Sequence, residues 1–444
     1  MLNRQNHQVQ MVSVDLLKAN PGNPRTHSPS QIKKLARSLE KFGFGAPLIM
    51  DDANMILAGH GRLAAAKLLG LSEIPVICIE HLSPAEKRAY VLADNRIAAE
   101  AGWDERLLAL EFESLVETDF DLSLTGFEIA EIDRLLLDGD EPEPDVDSLP
   151  AGEPGARIVT YVGDLWRLGK HRLLCGNALQ AKDYARLMDG DLADACFTDP
   201  PYNVPVQGHV SGLGKARHRE FAMASGELSE AEFTNFLAAT LGLIKQRCRR
   251  GAVLYVCMDW RHQYPLVAAA RQTELVPVNL CVWVKSNGGM GSFYRSRHEL
   301  VFVYRNGADP HTNTIQLGKH GRYRTNVWEY AGANTFRAGR ANDLAMHPTV
   351  KPTALVSDAI RDCTRPNDLV LDPFAGSGTT VIAAEITGRR CAAMELDPAY
   401  VDTIIRRWEA QSGQEARLVT TNQTFAEVRD RRQSEHTLEA SHGD

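Results

Sequence analysis

The segment from Asp368 to Glu395 constrains the fold of this chain more than any other stretch. A short apolar run ends at Asp372, and the loop 373–378, with two glycines, leads into an apolar helical stretch at 381–387. A second apolar run then ends at Glu395. Strand, glycine loop, helix and strand in this order are typical of a β-α-β unit. The pattern therefore predicts an α/β fold built on a mostly parallel sheet.

The glycine loop also predicts a binding site. It lacks the lysine of a phosphate-binding loop, but Gly376 and Gly378 would let a small nucleoside ligand lie against the backbone. The carboxylate of Glu395, at the end of the next strand, suits the ribose hydroxyls of such a ligand. Glu395 alone could equally be a surface acid, and its spacing from the loop favours the binding role.

A second strand-to-loop junction carries Asp199, Pro200, Pro201 and Tyr202, directly after an apolar run at 192–198. In an open α/β sheet, ligands bind at this edge. The two prolines stiffen the turn and have no N–H to occupy neighbouring carbonyls. An acid, a free carbonyl and an aromatic ring held together suit a planar base, which they would grip by its exocyclic amino group. For the motif alone, a tight turn with an exposed acid and a packed tyrosine remains the alternative.

The uneven distribution of charge keeps nucleic acid among the expected partners. The net charge is −8, yet residues 158–410 carry 30 Lys and Arg against 25 Asp and Glu. The stretch 138–153 is acidic and has no Lys or Arg. A basic face within the second half is therefore compatible with the composition.

Other features of the composition indicate an ordinary cytoplasmic protein. No apolar run reaches membrane-spanning length, and the start of the chain lacks the apolar stretch of a signal peptide. The eight cysteines are scattered and form no Cys-x-x-Cys pair, so we expect reduced core thiols and no metal site.

Taken together, the motifs resemble the β class of amino DNA methyltransferases. Asp199–Tyr202 matches the catalytic motif of that family, and Asp372–Gly378 matches its S-adenosylmethionine motif. His347–Pro352 matches the segment that contacts the methionine end of the cofactor. The catalytic motif precedes the cofactor motif, which is the order of the β class. The resemblance covers about 160–410 and implies a Rossmann-like methyltransferase domain over 158–410.

The resemblance also implies the roles of individual residues. The catalytic residues would be Asp199, Pro200, Pro201 and Tyr202. The residues implied to bind S-adenosylmethionine are Asp372, Phe374, Gly376, Gly378, Thr379, Glu395, Thr349, Lys351 and Asn177. Asn177 stands where the family often has Asp, and its amide oxygen would accept a bond from the cofactor adenine.

Contacts to DNA are expected in two segments. Target recognition is placed at about 305–346, where arginines alternate with aromatic residues, a pattern that suits phosphates and guanine edges. A mobile loop at 203–219 would close over the flipped base. The side chains expected to contact DNA are Arg322, Arg324, Arg337, Arg340, Lys215 and Arg217. A solvated basic loop is the alternative for the first segment.

The N-terminal region resembles a second family. Residues 9–82 predict a small α/β domain, and Asn20–Arg25, Pro47–Ile49 and the box Gly59–Arg62 resemble the ParB/sulfiredoxin-like superfamily. Partition proteins of that family use such a box for nucleotide, usually with Gly-Glu-Arg-Arg. Because His60 and Gly61 replace the middle pair, we expect a DNA-contacting or scaffolding role here.

The remaining segments complete the expected domain organisation. Residues 83–137 predict a helical extension, in which Ser83–Glu86 forms a capping-box start. An acidic Pro/Gly linker at 138–157 would separate it from the methyltransferase domain. A polar tail that frays is expected at 411–444.

These features lead to one principal functional hypothesis and several alternatives. The first is site-specific methylation of adenine N6 in double-stranded DNA by base flipping and direct transfer, because Asp at the first motif position favours adenine in this family. Cytosine-N4 methylation is the runner-up. A ParB-like DNA-binding protein with an inactive methylase domain, and methylation of RNA or protein, are alternatives of other classes. A modification enzyme without a partner endonuclease is favoured over a restriction-modification pair, and dimerisation stays open.

Overall fold

The computed structural model describes residues 8–118, 120–137, 147, 157–204, 226–285, 293–315, 324–330 and 351–441. The chain divides into two compact units, Met1–Gly139 and Asp140–Asp444. Within the described residues, no helix is both long enough and apolar enough to cross a membrane.

The first unit begins with a four-stranded sheet. Its elements are β1 (Val9–Ser13), α1 (Pro29–Phe42), β2 (Leu48–Met50), β3 (Ile56–Ala58), α2 (His60–Leu68) and β4 (Glu73–Cys78). The strand order is β1-β4-β2-β3, in which only β2 and β4 pair in parallel. Ser28 caps α1 by accepting a bond from the Gln31 N–H at 3.1 Å, and Gly43 ends the helix at a φ of 73°. The small α/β architecture agrees with the sequence prediction.

The Gly59–Arg62 box of this unit makes hydrogen bonds to neighbouring loops. Nη1 of Arg62 donates to the Ala46 carbonyl at 2.6 Å, and the Asn20 N–H donates to Nε2 of His60 at 3.3 Å. Burial lowers the pKa of His60, which keeps the imidazole neutral and able to accept this bond. A Cβ on Gly61 would lie 2.8 Å from Leu35. Residues of the box thus bond to, or pack against, other residues of the same unit.

Helices follow the first sheet along the chain. They are α3 (Pro84–Glu100), α4 (Glu105–Glu117) and α5 (Ile129–Leu137). The capping box at the start of α3 is formed as predicted: Ser83 accepts from the Glu86 N–H, while the Glu86 carboxylate accepts from the Ser83 N–H at 2.8 Å. Phe112, Ile132 and Leu135 form a small core of their own.

The described residues of the second unit form a mixed sheet of ten strands with helices on its faces. The strands are β5 (Leu165–Leu168), β6 (His171–Cys175), β7 (Ala193–Thr198), β8 (Cys248–Met258), β9 (Val276–Val284), β10 (His298–Arg305), β11 (Val327–Glu329), β12 (Leu369–Asp372), β13 (Arg390–Glu395) and β14 (Arg417–Leu418). The helices are α6 (Ala181–Met188), α7 (Glu230–Arg247), α8 (Gln263–Gln272), α9 (Thr353–Cys363), α10 (Thr379–Ile386), α11 (Pro398–Ser412) and α12 (Phe425–Ser441).

The order of the strands explains where ligands can bind. It runs β11-β9-β10-β8-β7-β12-β13-β6-β5-β14. The central strands β8, β7, β12, β13 and β6 are parallel neighbours, as predicted, so their carboxyl ends share one edge. Antiparallel strands extend the sheet on both sides, because β10 pairs with β8 and β5 pairs with β6. The apolar central strands are buried on both faces, as parallel strands usually are.

Two segments outside this sheet core differ from the sequence expectations. The stretch expected to be a polar, frayed tail adds β14 to β5 and places Phe425 against the Trp166 ring, with centroids 5.5 Å apart. Within the expected linker, Asp147 accepts a bond from the Thr353 N–H at 2.9 Å and lies 3.8 Å from buried Arg407. Both segments therefore contribute to the second unit.

All eight cysteines are unpaired, and all except Cys78 are buried.

Candidate active site

A cavity lies at the edge of the sheet where β6, β7, β12 and β13 end. It brings together the two motifs on which the sequence prediction rests. The predicted site residues that line it are Asp199, Pro200, Pro201, Tyr202, Lys351, Asp372, Phe374, Gly376, Thr379 and Glu395. No group of His, Cys, Asp or Glu side chains in the described part of the chain is arranged to bind a metal ion.

The Asp199 carboxylate is held on both of its oxygens. The Tyr202 hydroxyl donates to Oδ1 at 2.6 Å, and Nζ of Lys351 donates to Oδ2 at 2.6 Å. Burial, together with the nearby charge of Asp199, raises the pKa of Tyr202 well above its usual value. Tyr202 therefore stays protonated and remains a donor. The carboxylate is fixed in orientation but keeps further lone pairs for another donor.

Lys351 lies between two acids. Its side chain is 6% exposed, and Nζ is 2.6 Å from Oδ2 of Asp199 and 2.9 Å from Oε2 of Glu299. Burial alone would lower the pKa of Lys351, but these two carboxylates outweigh it and raise the pKa. Sequence reasoning assigned Lys351 to the cofactor. The structure brings it to the cavity and places its ammonium on Asp199.

The glycine loop is tied to the end of the next strand. The Gly376 N–H donates to Oε2 of Glu395 at 2.9 Å, and the Asp397 N–H donates to Oε1 at 2.9 Å. Asp372 accepts from the Phe374 N–H at 3.1 Å and from the Thr380 hydroxyl at 2.6 Å. Burial raises the pKa of Asp372 and of Glu395 to about 7. Two carboxyl groups that titrate near neutrality thus line the cavity.

Gly378 serves the loop in a different way from the predicted ligand contact. It has a φ of 83° and directly precedes α10, and a Cβ at this position would lie 2.8 Å from Cγ2 of Ile404. The left-handed conformation and the close packing both require glycine. Gly378 is absent from the cavity lining, whereas Gly376 is part of it. Arg407 supports the loop from behind by donating to the Ser377 carbonyl at 3.2 Å.

Asn177 forms a local turn, and its predicted contact with the cofactor adenine stays a prediction. Its amide oxygen accepts a bond from the Leu179 N–H at 2.9 Å, which closes a local turn. Its own N–H donates to Oδ2 of Asp183 at 2.9 Å. The neighbours Gly176 and Ala178 line the cavity in its place. The side chain of Asn177 thus shapes the turn, and its amide oxygen keeps a second lone pair.

The expected DNA-binding residues divide into two groups. Arg324 is described, but its guanidinium donates to Asp362 at 3.0 Å and to Asp358 at 3.2 Å, and its side chain is 16% exposed. Because these two acids, of which Asp362 is buried, hold it inside the fold, it is not the phosphate contact that the sequence predicts. The other predicted residues, Arg322, Arg337, Arg340, Lys215, Arg217 and the cofactor residue Thr349, lie outside the described residues.

Sequence reasoning missed several residues at this edge of the sheet. Glu299 and Lys285 form an ion pair with each other beside Lys351. Further out, exposed aromatic and basic side chains follow β8 or precede β10; they are Trp260, Arg261, Phe293, Tyr294 and Arg297. Their sequence signal was the alternation of arginine with aromatic residues where a predicted strand begins or ends.

Comparisons with known proteins agree with this geometry. A family model described as DNA methylase matches residues 193–406. Models of the ParB N-terminal domain and of the ParB-methyltransferase HTH domain match residues 1–96 and 106–160.

Individual relatives match parts of the chain. The DNA adenine methyltransferase YhdJ of Escherichia coli is 32% identical over 244 residues, which are 49% of this chain and 77% of that protein. The ParB-like nuclease domain-containing protein YnaK of Escherichia coli is 39% identical over 66 residues, 15% of this chain and 76% of that protein. Among solved structures, the cytosine-N4-specific PvuII DNA methyltransferase is 16% identical with a TM-score of 0.42, covering 59% of this chain and 91% of that chain.

Proposed function

Since this chain belongs to the DNA methylase family and carries a ParB-like N-terminal domain, we propose that it methylates the exocyclic N6 of adenine in duplex DNA. The meeting of the Asp199–Tyr202 turn and the glycine loop in one cavity is the observation that carries this function. The methyl donor is S-adenosylmethionine.

The residues of the cavity fit that cofactor. Gly376 presents backbone without a side chain, and the Glu395 carboxylate keeps lone pairs for ribose hydroxyls after accepting its two N–H bonds. Phe374 adds an apolar surface, and Asp372 adds a second carboxyl group. When bound, S-adenosylmethionine supplies an electrophilic methyl group on a sulfonium.

The turn at the end of β7 would hold the target base. A base must leave the duplex stack to enter such a cavity. The Asp199 carboxylate and the Pro200 carbonyl accept the two amino hydrogens, and the Tyr202 ring stacks on the base. This arrangement directs the nitrogen lone pair away from the acceptors and towards the methyl donor. Orientation and electrostatics supply the rate, so no covalent enzyme intermediate is needed.

The identity of the product tests this proposal. Purified protein is incubated with unmethylated DNA and S-adenosylmethionine carrying a labelled methyl group, and the product nucleosides are separated. We expect the label in N6-methyladenine. Label in N4-methylcytosine would keep the mechanism and change the base, and label preferring RNA or protein in competition would change the substrate class. Bound cofactor without any transfer would favour a DNA-binding protein with an inactive methylase domain.

The exposed residues at the edge of the cavity give a prediction about DNA binding. Arg261 follows β8, and Arg297 precedes β10. Because β10 pairs with β8 antiparallel and β8 pairs with β7 in parallel, both arginines lie at the edge of the sheet that also carries Asp199. The R261A/R297A double variant is expected to bind duplex DNA about tenfold more weakly, with the slope of log affinity against log salt reduced by about two. Fluorescence anisotropy at several salt concentrations measures both quantities.

A matched double variant controls for the loss of positive charge. Arg250 and Arg305 belong to the same two strands but lie at their opposite ends. R250A/R305A should therefore keep the affinity and the salt slope of the wild type within about twofold. Equal losses of DNA affinity in R261A/R297A and R250A/R305A would contradict a DNA-binding surface at the edge of the cavity.

A further inference from the structure

We propose that Glu299 and Lys285 are positioning residues for methyl transfer, which hold the Lys351 ammonium so that it is shared between two carboxylates. This inference rests on the proposed function, because it concerns how the Asp199 carboxylate is kept ready for the amino group. Neither Glu299 nor Lys285 lines the cavity. Their contact with the cavity is through Lys351, which lies between Glu299 and Asp199.

The four side chains, Asp199, Lys351, Glu299 and Lys285, form a row of alternating charge at the edge of the sheet. Asp199 follows β7, Glu299 lies on β10 and Lys285 follows β9. The ammonium of Lys351 lies 2.6 Å from Oδ2 of Asp199 and 2.9 Å from Oε2 of Glu299, and Oε1 of Glu299 contacts Nζ of Lys285. The Trp283 ring lies beside both cations, with Nζ of Lys285 4.7 Å and Nζ of Lys351 5.8 Å from its centroid.

The pairing of opposite charges within the row keeps them at neutral pH in spite of their burial. The Glu299 side chain is 14% exposed. Burial alone would raise the pKa of Glu299, but the charges of Lys351 and Lys285 outweigh it and hold the pKa below its usual value. Among the residues that the structure describes, the other titratable groups that face Lys351 or Asp199 are Tyr202, Cys257 and Asp372. None of these is a cation, so within that part of the chain Lys351 and Lys285 are the positive charges of this cluster.

Stability gives a poor explanation for such a row. Charges removed from water lose hydration, and apolar side chains of similar volume usually stabilise a buried site at least as well as an ion network. A network placed directly behind a carboxylate that must accept hydrogen bonds has a more specific use. It fixes both the direction and the charge of that carboxylate.

The position of the Lys351 ammonium between Asp199 and Glu299 controls how strongly the Asp199 carboxylate accepts a hydrogen bond. A carboxylate has about four lone-pair sites, and Tyr202 and Lys351 occupy one on each oxygen of Asp199. The remaining sites are available to an amino hydrogen. If Glu299 lost its charge, the Lys351 ammonium would lose its attraction to that carboxylate and would draw more of the negative charge of Asp199. The amino group of the base would then meet a weaker acceptor.

The test is the substitution E299Q, which keeps the size of the side chain and removes its charge. At saturating DNA and cofactor, the single-turnover rate of methylation is expected to fall about tenfold. The dissociation constant of S-adenosylmethionine should stay within about twofold of the wild type, because Glu299 does not line the cavity. E299D, which keeps the charge on a shorter side chain, should recover part of the lost rate.

A double-mutant cycle separates positioning through Lys351 from a general structural effect. K351M alone removes the cation, and the K351M/E299Q double variant is expected to be no slower than K351M. E329Q is the control, since Glu329 is an exposed acid on β11 in the same sheet, and it should match the wild type. Thermal melts of all variants confirm that they fold.

Two results would overturn the inference. One is an E299Q rate equal to that of the wild type. The other is a K351M/E299Q variant whose fold-loss in methylation rate equals the product of the fold-losses of K351M and E299Q. In that case, Glu299 would act independently of Lys351. A wild-type protein that binds S-adenosylmethionine and methylates no DNA would instead refute the proposed function, so the two failures are distinguishable.

Discussion

Replacing Asp199 with Ala is expected to reduce methyl transfer at least about 10³-fold while leaving S-adenosylmethionine binding close to that of the wild type. The carboxylate is the charged acceptor in the turn that would hold the amino group, and Ala removes it together with its bonds to Tyr202 and Lys351. Lys351 keeps Glu299 as a partner, so no buried cation is left unpaired. Single-turnover transfer of labelled methyl and calorimetric titration of the cofactor measure the two effects.

The neighbouring strand provides a control for this substitution. Asp259 directly follows β8 at the same edge of the sheet and accepts a bond from the His262 N–H at 2.9 Å. D259N should retain methyl transfer within a fewfold of the wild type. D199N tests the charge itself, because the amide keeps the shape of the side chain but offers one acceptor oxygen. Transfer by D199A at the rate of the wild type would remove Asp199 from the catalytic site.

The features that local chemistry determines were predictable from the sequence. A strand that ends in an acid, a loop with glycines and a following apolar helix can be recognised without knowing any partner. The same holds for Asp199–Tyr202, where two prolines mark the turn. Both motifs follow central parallel strands, so their meeting at one edge of the sheet follows from the topology.

The features that depend on partners distant in the chain were not predictable. Arg324 resembles a DNA contact in sequence, yet Asp358 and Asp362, one turn apart on α9, face it and hold its guanidinium inside the fold. Glu299 precedes an apolar run and gives no local sign that Lys285 and Lys351 approach it. In each case, the role of a charged side chain is decided by a partner that the fold supplies.

Smaller disagreements have similar causes. The amide oxygen of Asn177 accepts a bond within its own turn, a local use of the side chain that the predicted cofactor contact did not include. In the C-terminal stretch, the apolar positions that become buried, such as Leu418, Phe425 and Val428, are too widely separated to form a recognisable strand or helix pattern. Their burial depends on the edge strand β5 and on Trp166, which lie far away in the sequence.

The affinity for S-adenosylmethionine is expected to fall as the pH is lowered from 8 to 6, by up to about tenfold per unit below the pKa of the responsible carboxyl group. Burial raises the pKa of Glu395 to about 7, so the group is charged above this pH and protonated below it. The charged form accepts ribose hydroxyls in addition to the N–H groups of Gly376 and Asp397. Calorimetric titrations of the cofactor across this pH range measure the effect.

Two variants assign this pH dependence, because burial also raises the pKa of Asp372 to about 7. E395Q should bind S-adenosylmethionine about 10- to 100-fold more weakly at pH 8 and lose most of the pH dependence, whereas D372N should retain it. The cofactor-free protein should respond in the opposite direction. A raised pKa in the folded state means that the stability of the free protein is lost as the pH rises from about 4.5 towards 7. The increase in melting temperature on adding cofactor follows the affinity, so it should be larger at pH 8 than at pH 6. An E395Q protein whose affinity still falls with the slope of the wild type would place the responsible carboxyl group elsewhere in the cavity.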